Sequence, residues 1–171
     1  MTEAAGVQWS TAVVIRLDCP NSGAETRERL AVYLQFREEF DLPAHRIFPY
    51  FATPADWATL YGAAGDTKTK GDGWYAVPLK RFPFPLVARN VAAQPDRLVR
   101  WVFGGFWRGV GEVQLIESGR GTVVEGFEYI TAHGFWSLAT AFEECFMTAE
   151  FERIWALGWN RIRRNEEQYR S

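Results

Sequence analysis

The segment LAVYLQFREEFDL, residues 30–42, alternates between apolar and polar side chains along most of its length. A two-residue period is typical of a β-strand that buries one face. Glu38 falls on the apolar face, so the pattern predicts a carboxyl group directed towards the core. Pro43 follows and is expected to end the strand. The apolar face carries Leu30, Val32, Leu34, Phe36, Phe40 and Leu42.

Two short helices and an antiparallel meander are predicted after this strand. Residues 44–52 predict the first helix, and Thr53 and Pro54 are typical of the N-cap and first turn of the second. Residues 62–73 are rich in glycine, lysine and aspartate and predict a loop. Short connections then predict hairpins between five strands. These strands are Trp74–Leu79, Leu86–Ala93, Leu98–Phe103, Gly109–Glu117 and Thr122–Ile130.

The first 29 residues form an N-terminal extension ahead of this pattern. Their run Ala12–Leu17 is rich in β-branched residues and ends at a Pro-Asn-Ser-Gly turn signal. The run is typical of either an extra edge strand or a loosely attached arm, and both alternatives stay open. Residues 30–171 are predicted to form one domain.

A long C-terminal helix is predicted over Phe135–Gln168. It has two apolar stripes that are rotated by more than a quarter turn relative to each other, so a straight helix cannot bury both against one sheet. The first contains Phe135, Leu138, Ala139, Phe142, Phe146 and Ala149, and the second contains Phe151, Ile154, Trp155, Gly158 and Ile162. A kink or break is therefore predicted near Met147–Glu150. The charges of Arg161–Arg170 alternate in sign and predict a solvated helix face.

Composition and charge exclude several classes of protein. The chain has 171 residues and a formal net charge of −2, so no overall basic field favours nucleic acid. Its apolar runs are too short to span a membrane, and its first ten residues, MTEAAGVQWS, lack the pattern of a signal peptide. Two cysteines and two histidines give neither a disulfide framework nor a usual metal site. We therefore expect a cytoplasmic protein with no metal and no cofactor.

The order of these elements, together with several local motifs, resembles the SRPBCC superfamily of START-like and polyketide cyclase/dehydrase proteins. The resemblance covers residues 30–168 and implies an α+β helix-grip fold. In that fold a curved antiparallel sheet wraps around a long C-terminal helix, and two short helices follow the first core strand. The motifs that carry the resemblance are Phe40–Ala44, Arg46–Trp57, Gly109–Leu115, Gly121–Val124 and Arg161–Glu167.

Glu38, Glu128 and Arg89 are the candidate catalytic residues. The resemblance implies that Glu128 points into the cavity, although the alternation alone leaves its face open because both faces of that strand are apolar. Arg89 shares a face with Val87 and Val91, which makes it a candidate to point inward and neutralise a glutamate. A buried carboxyl must be paired, hydrogen-bonded or protonated, so we predict that Glu38 or Glu128 is buried with a raised pKa. The alternative for each is a structural carboxyl that reaches water or pairs with arginine.

The 13 Phe, 8 Trp and 6 Tyr are an aromatic excess that suits a cavity for an apolar ligand. The residues expected to contact such a ligand are Leu34, Phe36, Tyr50, Trp74, Trp101, Phe103, Phe142 and Phe146.

Three functions compete at this point. The first is binding of a hydrophobic small molecule such as a lipid, a polyketide-like compound or an aromatic compound, between the sheet and the last helix. The second is a cyclase or aromatase-like enzyme in which cavity glutamates act as general acid and base. The third is a chaperone-activator-like interaction module that exposes Phe106 and Trp107. We expect no nucleic acid and no membrane insertion, and a homodimer is an open alternative.

Overall fold

The computed structural model describes residues 9–17, 29–63, 66–79, 81–82, 84–132 and 140–170, with side chains described from residue 32 except at 132–148 and 169–170. Within these residues, eight strands and three α-helices follow the order that the sequence predicts, apart from one additional strand. The elements are β1 Trp9–Leu17, β2 Arg29–Phe40, α1 Ala44–Ile47, a 3-10 turn Phe48–Tyr50, α2 Pro54–Leu60, β3 Lys68–Gly71, β4 Trp74–Val77, β5 Leu86–Gln94, β6 Leu98–Gly104, β7 Trp107–Ser118, β8 Gly121–Ala132 and α3 Thr140–Arg170.

The strands form one antiparallel sheet in the order β1-β2-β8-β7-β6-β5-β4-β3. Hairpins join β3 through β8 in sequence, and β8 then returns to pair with β2. The three helices lie over one face of this curved sheet, which we call the inner face. An α+β helix-grip arrangement was predicted, and the structure confirms it.

The inner face is defined by the buried side chains of β2. Val32, Leu34, Phe36, Glu38 and Phe40 are all at most 6% exposed, as the alternation predicts. Trp101 and Phe103 of β6 are buried as well, so four of the side chains expected to contact a ligand, those of Leu34, Phe36, Trp101 and Phe103, lie in the interior. Two others, Phe142 and Phe146, lie outside the described side chains.

Two predictions about the elements are wrong. Residues 62–73 were predicted as a loop, but β3 lies within them and pairs with β4. All four β3 residues are exposed, so no hydrophobic alternation marks the strand. The second error is the break, one of two alternatives near Met147–Glu150, because α3 runs uninterrupted from Thr140 to Arg170. No proline or glycine occurs between residues 140 and 157 to interrupt it. The other alternative, a kink, stays a prediction.

The N-terminal run of residues 9–17 is β1, which pairs antiparallel with β2 at the edge of the sheet.

At the start of α2, Thr53 accepts a hydrogen bond from the backbone N–H of Asp56 (3.3 Å), so the predicted N-cap is present. No helix in the described ranges combines the length and the apolar character that a membrane span requires.

Candidate ligand-binding site

The strand register brings residues from five strands into one row across the inner face. Leu34 lies opposite Glu128, Glu128 opposite Gly111, Gly111 opposite Trp101, and Trp101 opposite Asn90. Residues opposite each other in an antiparallel sheet point to the same face. Because Leu34 is on the inner face, Glu128 is too, in agreement with what the resemblance implies.

The indole of Trp101 lies directly against Gly111. A Cβ atom built on Gly111 would come within 2.4 Å of Trp101 Nε1, which is closer than real atoms approach. Glycine at this position therefore leaves the space that the Trp101 ring occupies.

Replacing Gly111 by alanine should displace the Trp101 ring. We expect a loss of roughly 1–2 kcal/mol in unfolding free energy, since an extra carbon in a packed core forces its neighbours to move. Urea unfolding measures this loss, and Gly119→Ala is the matched control because its Cβ would meet nothing within 4 Å. An equal effect of the two substitutions would contradict the proposed contact.

Helix α3 supplies the hydrogen-bond donor to Glu128. Trp155 Nε1 donates to Glu128 Oε2 at 2.8 Å, and both groups are buried. The Trp155 ring packs against Phe36 and Trp159, with ring centroids 4.3 Å and 4.9 Å away. This hydrogen bond therefore connects the centre of the sheet to the middle of α3.

Burial dominates the ionisation of Glu128. It raises the pKa of this carboxyl from its ordinary value of 4.5 to about 7, against the opposing effect of the N–H groups of Trp155 and Trp101. The Trp155 bond has standard geometry, whereas Trp101 Nε1 makes no hydrogen bond of standard geometry. Burial, and then the charge of Glu128, raise the pKa of the neighbouring Tyr61 hydroxyl well above 10. The prediction that one of the two glutamates is buried with a raised pKa is confirmed at Glu128.

Glu128 differs from every other buried glutamate in the described part of the chain. Five glutamates there are at most 5% exposed, and four of them form ion pairs with arginine. Within the same residues, no lysine or arginine pairs with Glu128. The four pairs are Glu38 with Arg163, Glu112 with Arg100, Glu150 with Arg81 and Arg153, and Glu166 with Arg46.

Glu38 is buried at the second predicted position, but its surroundings are ionic. Arg163 of α3 donates to Glu38 Oε2 at 2.5 Å, and the same guanidinium lies 4.9 Å from the ring centroid of Phe40. A carboxyl that pairs with arginine is the structural alternative that the sequence left open for each glutamate, and Glu38 has this arrangement. It also corrects the prediction of a purely solvated face over Arg161–Arg170, since Glu166 of that segment is buried as well.

The structure contradicts the predicted positions of Arg89 and Trp74. Leu86 and Ala88 are the buried residues of β5, so Arg89 points to the outer face. Its guanidinium lies 4.9 Å from the ring centroid of Trp74, which covers Gly104. Arg89 therefore does not neutralise Glu38 or Glu128, and Trp74 does not line the interior.

Tyr50 is also placed differently from the prediction. Its hydroxyl donates to Glu166 Oε1 at 3.0 Å, which ties the 3-10 turn to α3. Glu166 is eleven residues beyond Trp155, about 16 Å along the helix axis. Tyr50 is thus an anchor of the helix, and its hydroxyl is directed to Glu166 and not to the Glu128 row.

The exposed apolar surface expected for an interaction module is not formed by Trp107. That side chain is 2% exposed and packs against Phe82 and Phe151. Phe106 stacks on Phe84 with ring centroids 4.3 Å apart. Both rings fold back onto the protein.

A cavity of about 400 Å³ lies on the outer face of β2, β8 and β7. Its carboxyl groups already have partners, because Glu125 pairs with Arg37 and Glu112 with Arg100. The described residues offer no comparable unpaired carboxyl there, so the Glu128 row is the stronger candidate.

Three residues beside the two candidate glutamates were missed from the sequence: Trp155 and Tyr61 at Glu128, and Arg163 at Glu38. Trp155 was assigned to a buried helical stripe, but nothing in that pattern indicates a partner 27 residues away. Tyr61 follows α2 at helical spacing and carries no signal of its own. Arg163 belongs to a run of alternating charges that normally faces water.

Comparison with known proteins identifies the fold. The sequence matches no protein-family model and no curated protein. Among solved structures, a protein of unknown function, SA2116 from Staphylococcus aureus, superposes with a TM-score of 0.57 at 10% identity, over 81% of this chain and 98% of that chain. Mll3558 from Rhizobium loti has a TM-score of 0.50 at 17% identity, over 75% and 98% of the two chains. CV1439 from Chromobacterium violaceum has a TM-score of 0.50 at 10% identity, over 76% and 94%.

These neighbours share a fold with the chain. At such identities the likeness extends to the arrangement of strands and helices and to nothing finer. The function is therefore argued from the Glu128 row itself.

Proposed function

We propose that this protein binds a hydrophobic small molecule between the inner face of the sheet and α3, with Glu128 at the polar end of the site. The observation that carries the proposal is a buried carboxyl that has aromatic neighbours and no cationic partner among the described residues. Ligand sites are usually apolar and contain a few polar groups that orient the ligand.

The aromatic surroundings of Glu128 support an apolar ligand. Trp101, Trp155 and Phe36 provide ring surface on either side of the carboxyl. Leu34 is its direct neighbour on β2. The resemblance to the SRPBCC superfamily implies the same class of ligand, and membership of that superfamily is part of the proposal.

Native mass spectrometry of the purified protein tests the proposal. We expect a bound molecule that is present in the native spectrum and lost on denaturation. Titration with the neutral fluorophore N-phenyl-1-naphthylamine should give saturable binding that any co-purified ligand competes away. If no bound molecule is found and the fluorophore shows no saturable binding, the proposal is contradicted.

A matched pair of variants locates the site. Glu128→Gln should change the affinity for a neutral probe by several-fold, on the order of one hydrogen bond. Glu125→Gln changes the same residue type on the same strand but on the outer face, and should leave the affinity unchanged. Equal effects of the two substitutions would place the binding elsewhere.

A second candidate function is a polyketide cyclase-like enzyme. The pKa of Glu128 near 7 favours it, because a general acid or base works best when its pKa is close to the working pH. The variant Glu128→Gln separates the two candidates. An enzyme should bind its substrate and lose turnover, whereas a binding protein has no turnover to lose.

A further inference from the structure

Four aromatic side chains form a continuous arc that begins and ends beside Glu128. Trp101 contacts Trp57, Trp57 contacts Tyr61, and Tyr61 contacts Trp155, with ring centroids 6.3, 5.6 and 6.1 Å apart. Trp155 donates its N–H to Glu128, and Trp101 lies two positions along the strand row, beyond Gly111. The carboxyl is thus enclosed by ring surface. Tyr61 is the partly exposed member of the arc, and the three tryptophans are buried.

The charges around the arc are unbalanced. Within the described residues, every other buried glutamate has an arginine, and no lysine, arginine or histidine is itself buried. Glu128 is therefore a buried carboxyl whose counter-charge the described chain does not supply. Aromatic faces attract cations because the centre of each face carries negative charge.

On the basis of the proposed function, we infer that the buried end of the ligand is a cation. It is an ammonium or quaternary ammonium group that pairs with Glu128 inside the arc. Such a group would be the ion-pair partner of Glu128, as Arg163 is the ion-pair partner of Glu38. The ring of Phe40 beside Arg163 shows the same combination of carboxylate, cation and aromatic face elsewhere in this fold.

Other ligand classes fit this chemistry less well. An anionic group would approach Glu128 with no buried cation among the described residues to offset the two charges. An uncharged apolar group supplies no ion partner, so the carboxyl would have to stay protonated or remain a buried unpaired charge. A cation supplies the missing positive charge and is also attracted to the faces of the aromatic rings.

Binding of a cation should be coupled to loss of the Glu128 proton. Leu34 of β2, Gly111 of β7, Trp101 of β6 and Trp155 of α3 face this carboxyl, and none of them titrates. Tyr61 is the titratable group described beside it, and its pKa is raised away from neutrality. The coupling can therefore be assigned to Glu128.

Two isosteric probes that differ in charge test the inference on the full-length protein. Benzyltrimethylammonium and neopentylbenzene have nearly the same shape, and neither titrates. At about pH 8 we expect the cation to bind roughly tenfold more tightly than its neutral isostere. Calorimetry of the wild-type protein in two buffers should show proton release on binding of the cation at about pH 6 and little at pH 8.

The variants show whether Glu128 causes the preference. Glu128→Gln should abolish it, and the outer-face variant Glu125→Gln should retain it. Equal or tighter binding of neopentylbenzene to the wild-type protein would overturn the inference and leave the proposed function standing. Failure of both probes and of the neutral fluorophore to bind would overturn both.

Discussion

Glu128→Gln should raise the free energy of unfolding above that of the wild type at alkaline pH. It should also remove most of the decrease in this free energy that the wild type shows as the pH rises. The native carboxyl keeps its proton up to about pH 7, whereas in the unfolded chain it loses the proton near its ordinary pKa of 4.5. The native state therefore binds more protons in this window, so its unfolding free energy falls as the pH rises. From the size of the shift, this one residue costs roughly 2–3 kcal/mol between about pH 5 and pH 8.

Urea unfolding of the two proteins across this range measures the difference. The curves should meet near pH 5, where the native wild-type carboxyl is neutral, and separate steadily above it. Glu150 acts in the opposite direction, because its hydrogen bond to Arg153 lowers its pKa and its contribution is lost as the pH falls. Glu150 is the same in both proteins and cancels in the comparison. A constant difference between the two curves would show that Glu128 titrates normally.

The buried position of Glu38 could be read directly from the sequence, but that of Glu128 could not. In β2 one face is polar and the other apolar, so a single register buries the apolar side chains and carries Glu38 with them. In β8 both faces are apolar, and only the resemblance favoured the inner one. The register with Leu34 then decides the face.

The same ambiguity explains the error at Arg89. Val87 and Val91 flank it on one face of β5, while Leu86 and Ala88 on the other are equally apolar. The pattern therefore contains no information about which face the helices cover. In the folded chain Val91 is 48% exposed and Leu86 is 3% exposed.

The partners of the two glutamates come from α3, more than twenty residues away in sequence. Their identity depends on how the helix is placed over the sheet, which a local pattern does not specify. The stripe Phe151, Ile154, Trp155 and Ile162 predicted the buried face of α3 correctly. It did not indicate that Trp155 would meet Glu128 or that Arg163 would meet Glu38.

Arg163→Met should destabilise the protein by roughly 2 kcal/mol, because it leaves the Glu38 carboxylate buried without its counter-charge. The Glu38 side chain is 1% exposed, and its second oxygen has no hydrogen-bond partner. The Arg163 side chain is 38% exposed, so water screens part of the interaction and the loss should fall below that of a fully buried pair. Arg164→Met, a change of the exposed neighbouring arginine, is the matched control and should have little effect.

A second substitution distinguishes a lost charge from lost packing. Adding Glu38→Gln to the Arg163→Met protein removes the uncompensated charge and should recover most of the lost stability. If the loss came from the contact of the Arg163 stem with Phe40, the double variant would be no more stable than the single one. Recovery would also give Glu38 and Glu128 different roles. The first carboxylate holds α3 against the sheet through a cation of the chain itself, whereas the second, with no such cation among the described residues, is the one left to meet a ligand.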